Sequence, residues 1–566
     1  MKKKIFIITL AAGSWLLSDA QSAPGAYSAS RPDMKGTARY MGMAGAFGAL
    51  GGDLSAITQN PGGIGVYRSS DIGFTLDLDL QSSSTENEGH KYKMDQTKFL
   101  LNNIGAVFTL KLPSQKVPNF NFGFVYNKGT SFNNIYGGQI NTLRNSMSNY
   151  IAYTSNYDGI SEEEVNGAGN RNPYNPSSGY AAPWMNILAY QAYVVNPQYN
   201  PATGETKWFG FWQNAMSGKD TSGHGQFVMH EMGGTNDFNI VLGGNIANIL
   251  YWGMNFDIIN FNYQLNTYWG ESLVNAYGMD DQGNVTLGNA KWDFNSSYSL
   301  SGTGFNYQLG FILRPVQALR LGFAFHTPTW YSFNEEFIGG MDNYYYQTNG
   351  GEPGYNSYNF RTPWKILASA AGVLGDKFIV SFDYEWANYG KMRFSEPTVY
   401  NDDYYWDYPW DWWSNTRAGG PISQSFQNPN DPYYYENLDI SDYYKSSNTF
   451  RVGVEFKPIS SLSLRAGYAN VSSPVRKEAK NNELFIATSS LSPSYRFDNS
   501  TNYATFGVGY RYSHFYVDLA YVYKHVSAEY HAYTNYPTES KFEGMSPQAK
   551  VSLNNNQIVL SAGYRF

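Results

Sequence analysis

Apolar and polar residues alternate with a period of two in segment after segment of this chain. Phe120, Phe122 and Phe124 alternate with Asn121 and Gly123, which predicts a β-strand with one apolar face. The same pattern recurs in five further segments: Leu319–Phe325, Phe378–Trp386, Phe450–Phe456, Leu462–Tyr468 and Phe515–Tyr523. The opposite face of these strands carries Gly, Ser, Asn or charged residues, so the chain is expected to be all-β.

The connections between these strands alternate in length. Short turns are expected near 113–119, 247–249, 315–318, 375–376, 458–460 and 513–514. Long polar and aromatic loops are expected at about 81–97, 132–234, 265–295, 333–362, 395–446, 470–501 and 527–552. Short turns that alternate with long loops are typical of an outer-membrane β-barrel. The tally predicts an antiparallel transmembrane barrel of about 14 strands.

The composition favours the membrane barrel over a soluble protein. Charged residues make up only 15% of the chain, although aromatic residues make up 17%, and soluble domains carry about a quarter charged residues. The mean hydropathy is −0.45, and no apolar run is long enough for a membrane-spanning helix. There is no cysteine, which excludes a disulfide framework. The net charge of −7 argues against a nucleic-acid partner.

The N-terminus predicts export from the cytoplasm of a bacterium. Lys2, Lys3 and Lys4 precede the apolar stretch Ile5–Leu17, and Ala20 ends a small-residue cleavage site, so residues 1–20 are interpreted as a signal peptide. The alternative is a membrane anchor, but the stretch is shorter than a spanning helix requires. The terminal Phe566 ends an alternating strand, which predicts recognition by the outer-membrane barrel-assembly machinery.

Residues 21–68 do not alternate and are rich in small residues. Asp53 can cap a short helix that begins at Leu54, and Pro61 disfavours helical geometry at Asn60. The segment is too small to fold alone. It is therefore expected to form a small hatch, or plug, inside the barrel of residues 69–566. The alternative is a flexible N-terminal tail.

Several motifs resemble the FadL/TodX family of outer-membrane transporters. The hatch of that family is similar to the pattern formed by Asp53, Ser55, Asn60, Pro61, Gly62 and Gly63, although the family has Asn-Pro-Ala-Gly where this chain has Asn-Pro-Gly-Gly. The block from Arg451 to Phe456, followed by Leu464–Tyr468 and Ser473-Pro474-Val475, resembles a further family block in the same order. The long acidic and aromatic loops look like a Bacteroidetes-type branch of the family.

The resemblance implies transport of hydrophobic molecules, typically long-chain fatty acids. In the family, cargo lands on the outer loops, passes to a pocket in the lumen and leaves sideways through a kinked strand when the hatch changes. If that carries over, the strand Asn119–Ser131 is the lateral opening, with Gly123 and Gly129 as candidate bend positions. No cofactor is implied. The expected partners are a fatty-acid-like molecule, outer-membrane lipid and lipopolysaccharide, and the protein is expected to be a monomer.

Two sets of residues are candidates for cargo contact. By strand parity Arg320, Arg451, Arg465 and Lys524 face the lumen, where they would bind a head group or join a self-neutralising network that holds the hatch. Arg451 and Glu455 are expected to share one such network. In the loops Trp406, Trp410, Trp412 and Trp413 form the densest aromatic run, which is interpreted as a capture surface or as a self-packed cap.

Other functions have less support in the sequence. The seven histidines show no helical metal-binding pair, and no Gly-x-Ser-x-Gly elbow is present, so neither a metal site nor an enzyme is expected. Two alternatives to transport remain. One is a structural or adhesive outer-membrane protein with a closed lumen, and the other is a haem-uptake protein.

Overall fold

The structure, a computed structural model, describes residues 21–167, 172–174, 182–213, 219–279, 285–343, 347–349, 353–375, 377–397, 431–481, 484–536 and 546–566. The expected signal peptide and the four loop tryptophans lie outside these ranges. No helix in the described ranges is both long and apolar enough to span a membrane.

The described chain contains 21 strands and eight α-helices. The strands are β1 Asp71–Asn87, β2 His90–Lys111, β3 Asn119–Ser131, β4 Asn134–Ile140, β5 Asn196–Asn200, β6 Glu205–Phe209, β7 Ser222–Ile246, β8 Leu250–Met279, β9 Val285–Val316, β10 Leu319–His326, β11 Trp330–Asn343, β12 Gln347–Asn349, β13 Gly354–Arg361, β14 Lys365–Leu374, β15 Phe378–Asn388, β16 Arg393–Ser395, β17 Ser446–Ile459, β18 Leu462–Ser472, β19 Tyr495–Tyr512, β20 Phe515–His531 and β21 Gln548–Arg565. The helices are α1 Ala23–Ser30, α2 Ala38–Met41, α3 Ala56–Gln59, α4 Met147–Tyr157, α5 Glu162–Asn166, α6 Trp184–Gln191, α7 Tyr434–Tyr443 and α8 Lys477–Lys480, with 3₁₀ turns at Pro61–Val66 and Tyr389–Lys391.

All of these strands except β5 and β6, which form a separate two-stranded sheet, belong to one closed antiparallel barrel. Each wall strand pairs with its sequence neighbour, and β21 pairs with β1 from Arg565↔Asp71 to Lys550↔Glu86, which closes the sheet. Four wall strands are built from two pieces each: β3 with β4, β10 with β11, β14 with β13, and β15 with β16. The wall then contains 14 strands in the described chain, which confirms the expected count.

The barrel is apolar outside and polar inside. On β1, Asp77 and Asp79 are buried, whereas Ile72 and Phe74 are 50% and 44% exposed. Phe99, Phe124 and Phe506 are also exposed on the outer surface. A soluble sandwich buries its apolar face, so this inverted pattern identifies a wall that faces lipid.

The short turns lie where the sequence predicted them, but several strands extend beyond the expected loop bounds. Residues 81–97, expected to be a loop, belong to the β1–β2 hairpin, which turns at Glu88 and Gly89. Likewise β8 and β9 run through most of 265–295. In these segments the outer face is no longer apolar, so the residues do not alternate as they do in the wall.

The long connections pack together at the outer end of the barrel. Helices α4, α5 and α6 pack against the ends of β7, β8, β11 and β20 in one hydrophobic cluster. Aromatic pairs stabilise it, including Tyr153–Tyr536 and Phe227–Tyr530 with ring centroids 4.5 and 3.7 Å apart. Much of the described loop structure therefore forms a packed cap.

Residues 21–70, called the luminal segment below, lie inside the barrel. The helix α2 contacts β19, β20 and β21, while the 3₁₀ turn Pro61–Val66 contacts β7, β8 and β9 on the other side. Ala38, Phe47 and Ile57 are fully buried. At its end, the backbone of Ser70 bonds to that of Phe566, so the segment leaves the lumen at the end of the barrel that carries the short turns.

Candidate functional site

The barrel wall has a break between β2 and β3. These strands pair only from Lys111↔Asn119 to Asn103↔Asn127, near the short-turn end. Beyond this point β2 continues to His90 and pairs with β1 alone. No backbone ladder joins residues 91–102 of β2 to β3 or β4 in the described chain.

The break arises because strand three bends at Lys128–Ser131. Its register against β7 shifts there, from Lys128↔Asn236 to Ser131↔Gly234. A Cβ atom on Gly129 would clash with the side chains of Thr235 and Asp237. Glycine is therefore required for β7 to approach the bend so closely.

After the bend, strand three turns into the lumen. The backbone N–H of Ile135 donates to the side-chain oxygen of Gln81 at 3.2 Å, and the Gln81 amide donates to the Ile135 carbonyl at 3.2 Å. Gly138 lies against Thr85. Because Gln81 and Thr85 face inward on β1, and Gly137 and Gly138 lie against Met94 and Tyr92 of β2, β4 lies over the inner face of the β1–β2 hairpin and makes no backbone ladder with β2 in the described chain.

A cavity of about 90 Å³ lies beside this bend in the outer half of the lumen. The helix α1 forms one side of it, and aromatic side chains from strands β8, β9, β11 and β13 form much of the rest. These side chains are Phe261, Tyr263, Tyr298, Phe333, Tyr358 and Phe360. We call this space the aromatic cavity. Its rings form a surface against which the apolar part of a ligand can pack closely.

The polar end of the aromatic cavity contains two arginines and two carboxylates. Arg31 donates to Glu231 at 2.8 Å, and Arg496 donates to Asp498 at 2.9 Å. Arg496 also lies 3.6 Å from Glu231, which accepts a further bond from Asn134 on β4. The four formal charges sum to zero, so a ligand there meets oriented polar groups without a net charge.

The luminal segment connects the aromatic cavity with the bend. The Arg31 guanidinium lies 5.4 Å from the ring centroid of Phe132, just after the bend. Two residues on, Asp33 accepts the backbone N–H of Ser131 at 3.4 Å and pairs with Lys524 at 2.7 Å. Burial raises the pKa of Asp33, but Lys524 and Lys35 outweigh burial and lower the pKa to about 2. Asp33 is therefore an anion that ties the segment to the wall and to the bend.

The motif residues of the luminal segment form its inner turn. The Asp53 carboxylate accepts the N–H groups of Ser55 and Ala56, so it caps α3, which begins two residues later than expected. The Asn60 amide donates to the Gly48 and Phe311 carbonyls at 2.6 and 3.2 Å. These bonds join the segment to itself and to β9.

Pro61, Gly62 and Gly63 follow in a 3₁₀ turn against the wall. A Cβ atom on Gly62 would lie 2.9 Å from the backbone of Phe311, and one on Gly63 would lie 2.9 Å from Gly51. The glycine at position 62 thus allows the turn to lie directly against the backbone of β9.

The four basic residues singled out in the sequence all face the lumen, and three are paired with carboxylates. Arg451 pairs with Glu385 at 2.9 Å, Arg465 with Glu455 at 2.7 Å, and Lys524 with Asp33. The fourth, Arg320, donates to the Leu50 carbonyl at 2.9 Å.

The expected shared network of Arg451 and Glu455 is wrong. Glu455 instead contacts Arg39, Arg465 and Lys457. Arg451 and Glu455 both face the lumen, and Gly453 lies between them on the same face of β17. Residues of the luminal segment, including Met43 and Ala46, pack against Gly453 between the two side chains.

Other candidate residues fall in different places. Gly123 lies in the regular ladder, opposite Val107 and Val241, whereas Gly129 lies at the bend. Trp406, Trp410, Trp412 and Trp413 lie outside the described residues.

Sequence reasoning missed the residues that line the aromatic cavity. Arg31 is in a segment without alternation, and the cavity rings come from four separate wall strands. The only available signal was that Phe261 and Tyr263 occupy inward-facing positions of β8. Aromatic residues there are unexpected, because a barrel lumen is usually polar.

No protein-family model matches the chain, and no curated protein matches it. Among solved structures, a FadL homologue from Pseudomonas aeruginosa is similar with a TM-score of 0.50 and 11% identity, over 95% of this chain and 100% of that chain. The Pseudomonas putida toluene transporter TodX is similar with a TM-score of 0.43 and 12% identity, over 94% of this chain and 99% of that chain.

The closed wall, its apolar outer surface and its filled lumen define a 14-stranded outer-membrane β-barrel. The fold is that of the FadL-type channels.

Proposed function

We propose that the protein transports hydrophobic small molecules across the bacterial outer membrane, with long-chain fatty acids as the principal cargo. Cargo is captured at the external loops and passes to the aromatic cavity. It then leaves sideways between β2 and β3 when the luminal segment moves. In this mechanism the luminal segment is a hatch, and its motif residues Asp53 to Gly63 hold it in the closed state.

The break in the wall is the observation that carries this proposal. A barrel that conducts polar solutes needs an axial pore, and an interrupted ladder adds nothing to it. An apolar solute gains from a lateral exit, because transfer into water costs about 0.8 kcal/mol for each CH₂ group. In the proposed route cargo leaves the lumen for the bilayer at this break and so stays out of water.

The aromatic cavity supports an apolar cargo with one polar end. Its rings suit a hydrocarbon chain or ring, and Arg31 and Arg496 lie at the end where a carboxylate would be bound. We assign Arg451, Arg465 and Lys524 to holding the hatch, since none of the three lines the aromatic cavity and each pairs with a carboxylate. The structural similarity to a FadL homologue agrees with a hydrophobic cargo.

Uptake of radiolabelled oleate tests the proposal in a deletion strain that expresses the wild type or a variant. Leu300 lines the cavity and is 5% exposed, so Leu300→Trp fills the cavity and is expected to slow uptake several-fold. The control Leu438→Trp adds the same ring to an exposed position on α7 and should leave uptake unchanged. Equal uptake with and without the protein would refute transport and favour the structural or adhesive alternative. A shift of the haem Soret band on titration would instead favour haem uptake.

The loop tryptophans are proposed to capture cargo. Deletion of residues 400–415 is expected to slow oleate uptake while barrel assembly, measured by heat-modifiable gel mobility, stays normal. Unchanged uptake in this deletion would show that these loops do not capture cargo.

A further inference from the structure

A second cavity, of about 660 Å³, opens at the short-turn end of the barrel. Its lining includes seven basic side chains and, among the described residues, no carboxylate. We call it the basic vestibule. The basic residues are Arg39, Arg68, Arg320, Lys377, Lys457, Arg511 and Arg565. This concentration of positive charge contrasts with a net charge of −7 for the whole chain.

Nearby carboxylates compensate only part of this charge. Glu455 contacts Arg39 and Lys457, but it also pairs with Arg465 outside the vestibule. Asp71 pairs with Arg565 at 2.9 Å. Asp518 also pairs with Arg465, and Asp53 lies with Arg39 in the adjoining pocket. Four carboxylates are thus shared among eight cations, the seven of the vestibule and Arg465, which leaves an excess of positive charge.

The remaining cations bond to uncharged oxygen atoms or face solvent. Arg68 donates to the side chains of Asn119 and Asn248, and Arg320 donates to the Leu50 carbonyl while its Nε has no partner in the described chain. Lys377 and Arg511 are exposed at the rim. Like charges held this close are mutually destabilising unless an anion lies among them.

Three guanidinium groups of the vestibule also hold one turn of the luminal segment. Arg39 and Arg565 donate to the Gly52 carbonyl at 3.1 and 3.3 Å, and Arg320 donates to that of Leu50. Gly51 and Gly52 both have positive φ, at 63° and 66°, a conformation that turns these carbonyls toward the guanidinium groups and that glycine adopts readily.

We infer that the basic vestibule binds a phosphate-bearing anion, either a free phosphate ester or the head group of a lipid. Five of the seven cations are arginines, and the guanidinium fork matches phosphate oxygens in a bidentate geometry. A phosphate monoester carries almost two charges near neutral pH, so it offsets the excess better than one carboxylate does. Bound anion shares guanidinium groups with the Leu50–Gly52 turn and therefore fastens the luminal segment.

Calorimetric titration of the detergent-solubilised full-length protein tests this inference. Pyrophosphate is the probe for free phosphate, and short-chain phosphatidic acid is the probe for a lipid head group. Saturable binding of either probe at low salt, weakened at high salt, is expected. Binding of pyrophosphate alone assigns the site to free phosphate, and tighter binding of phosphatidic acid assigns it to lipid. Absence of binding by both probes, or equally tight binding of succinate, would overturn the inference.

The double variant Lys377→Gln/Arg511→Gln removes two rim charges without disturbing the fold. The hydrogen bonds made by these residues to Lys457 and Ser461 involve only backbone atoms, so the variant keeps them. Binding is expected to weaken about tenfold, since both charges lie at a partly solvated rim. The control Lys207→Gln removes an exposed charge from β6 at the other end, and it should bind like the wild type. Equal weakening in both variants would also overturn the inference.

Oleate uptake separates this inference from the transport proposal. Loss of anion binding in the double variant supports the inference whatever the rate of oleate uptake, because the titration measures binding at the vestibule directly. Failure of the protein to transport oleate has no bearing on whether pyrophosphate binds.

Discussion

Replacement of Asp33 by asparagine tests how the luminal segment is held. Asp33→Asn keeps the shape of the side chain but removes the negative charge that pairs with Lys524. It also weakens the acceptor for the Ser131 N–H and for the Tyr503 hydroxyl. We expect the segment to leave its closed position more often in the variant, because Lys524 then lies unpaired beside it.

The size of the effect follows from the Asp33 pKa. Lowering this pKa from 3.8 to about 2 corresponds to roughly 2.5 kcal/mol of stabilisation of the anion, at 1.36 kcal/mol for each pKa unit. For a depressed carboxyl pKa the stabilisation is complete above the ordinary pKa and is lost as the pH falls through about 2. At neutral pH the variant therefore loses it in full, and the open fraction of the segment should rise by up to about 60-fold.

The absence of cysteine provides the assay. Ala49→Cys places one thiol at a fully buried position of the luminal segment, and its rate of reaction with a soluble thiol reagent reports how often the segment opens. The rate should rise strongly when Asp33→Asn is added. Asp95→Asn, at an exposed position of β2, is the matched control and should not change it. A rate within twofold of the parent for Asp33→Asn would refute the reasoning.

Three further predictions follow from the hatch contacts, the bend and an outer loop. Asn60→Asp replaces the donors to the Gly48 and Phe311 carbonyls with an anion, which should destabilise the closed position of the luminal segment by about 3 kcal/mol. Labelling of Ala49→Cys should then be faster, and an unchanged labelling rate would contradict the role of Asn60. Gly129→Ala places a methyl group against Thr235 and Asp237 and should slow oleate uptake. The control Gly288→Ala places a methyl group in open space and should leave uptake unchanged. Equal uptake by the two variants would show that the bend has no role in transport. Burial raises the pKa of Asp439 on α7 to about 7, so the stability of α7 should fall as the pH rises from about 4 to 7; hydrogen exchange of Tyr434–Tyr443 measures this, and an unaltered pH profile in Asp439→Asn would contradict it.

The barrel was predictable where the wall meets lipid and less so beyond it. Phe120 to Tyr126 alternate because every second side chain faces hydrocarbon, and these residues form β3 as expected. In contrast Ser82–Thr85 pair with Tyr92–Asp95 in a regular ladder although neither face is apolar. The ladder at this hairpin is made by backbone hydrogen bonds, which leave no pattern in the side chains.

The candidate site likewise contains some residues that the sequence could predict and others that it could not. Asn60 and Gly62 were found because a close turn against a wall demands particular residue types. The bend could be suspected only from Gly129. An interrupted ladder is a place where backbone pairing is missing, and no residue type marks it in the sequence. The aromatic cavity was not predictable, because Phe261, Phe333 and Phe360 come together only when the barrel closes.

In the proposed mechanism, the strength of the Asp33 contact sets the free energy that a cargo must supply to open the hatch. Arg31 contributes to the aromatic cavity and Asp33 contacts the bend, so movement of this part of the segment changes both places at once. Breaking the Asp33 contact costs roughly 2.5 kcal/mol by the pKa argument, and burial of a methylene group contributes about 0.8 kcal/mol. About three methylene groups buried in the cavity therefore offset one such contact, provided that they are buried better in the open state than in the closed state. Burial of a small polar solute contributes no comparable free energy, so under the proposed mechanism we expect the Asp33 contact to keep the hatch closed to such a solute and to break when a hydrocarbon chain is bound.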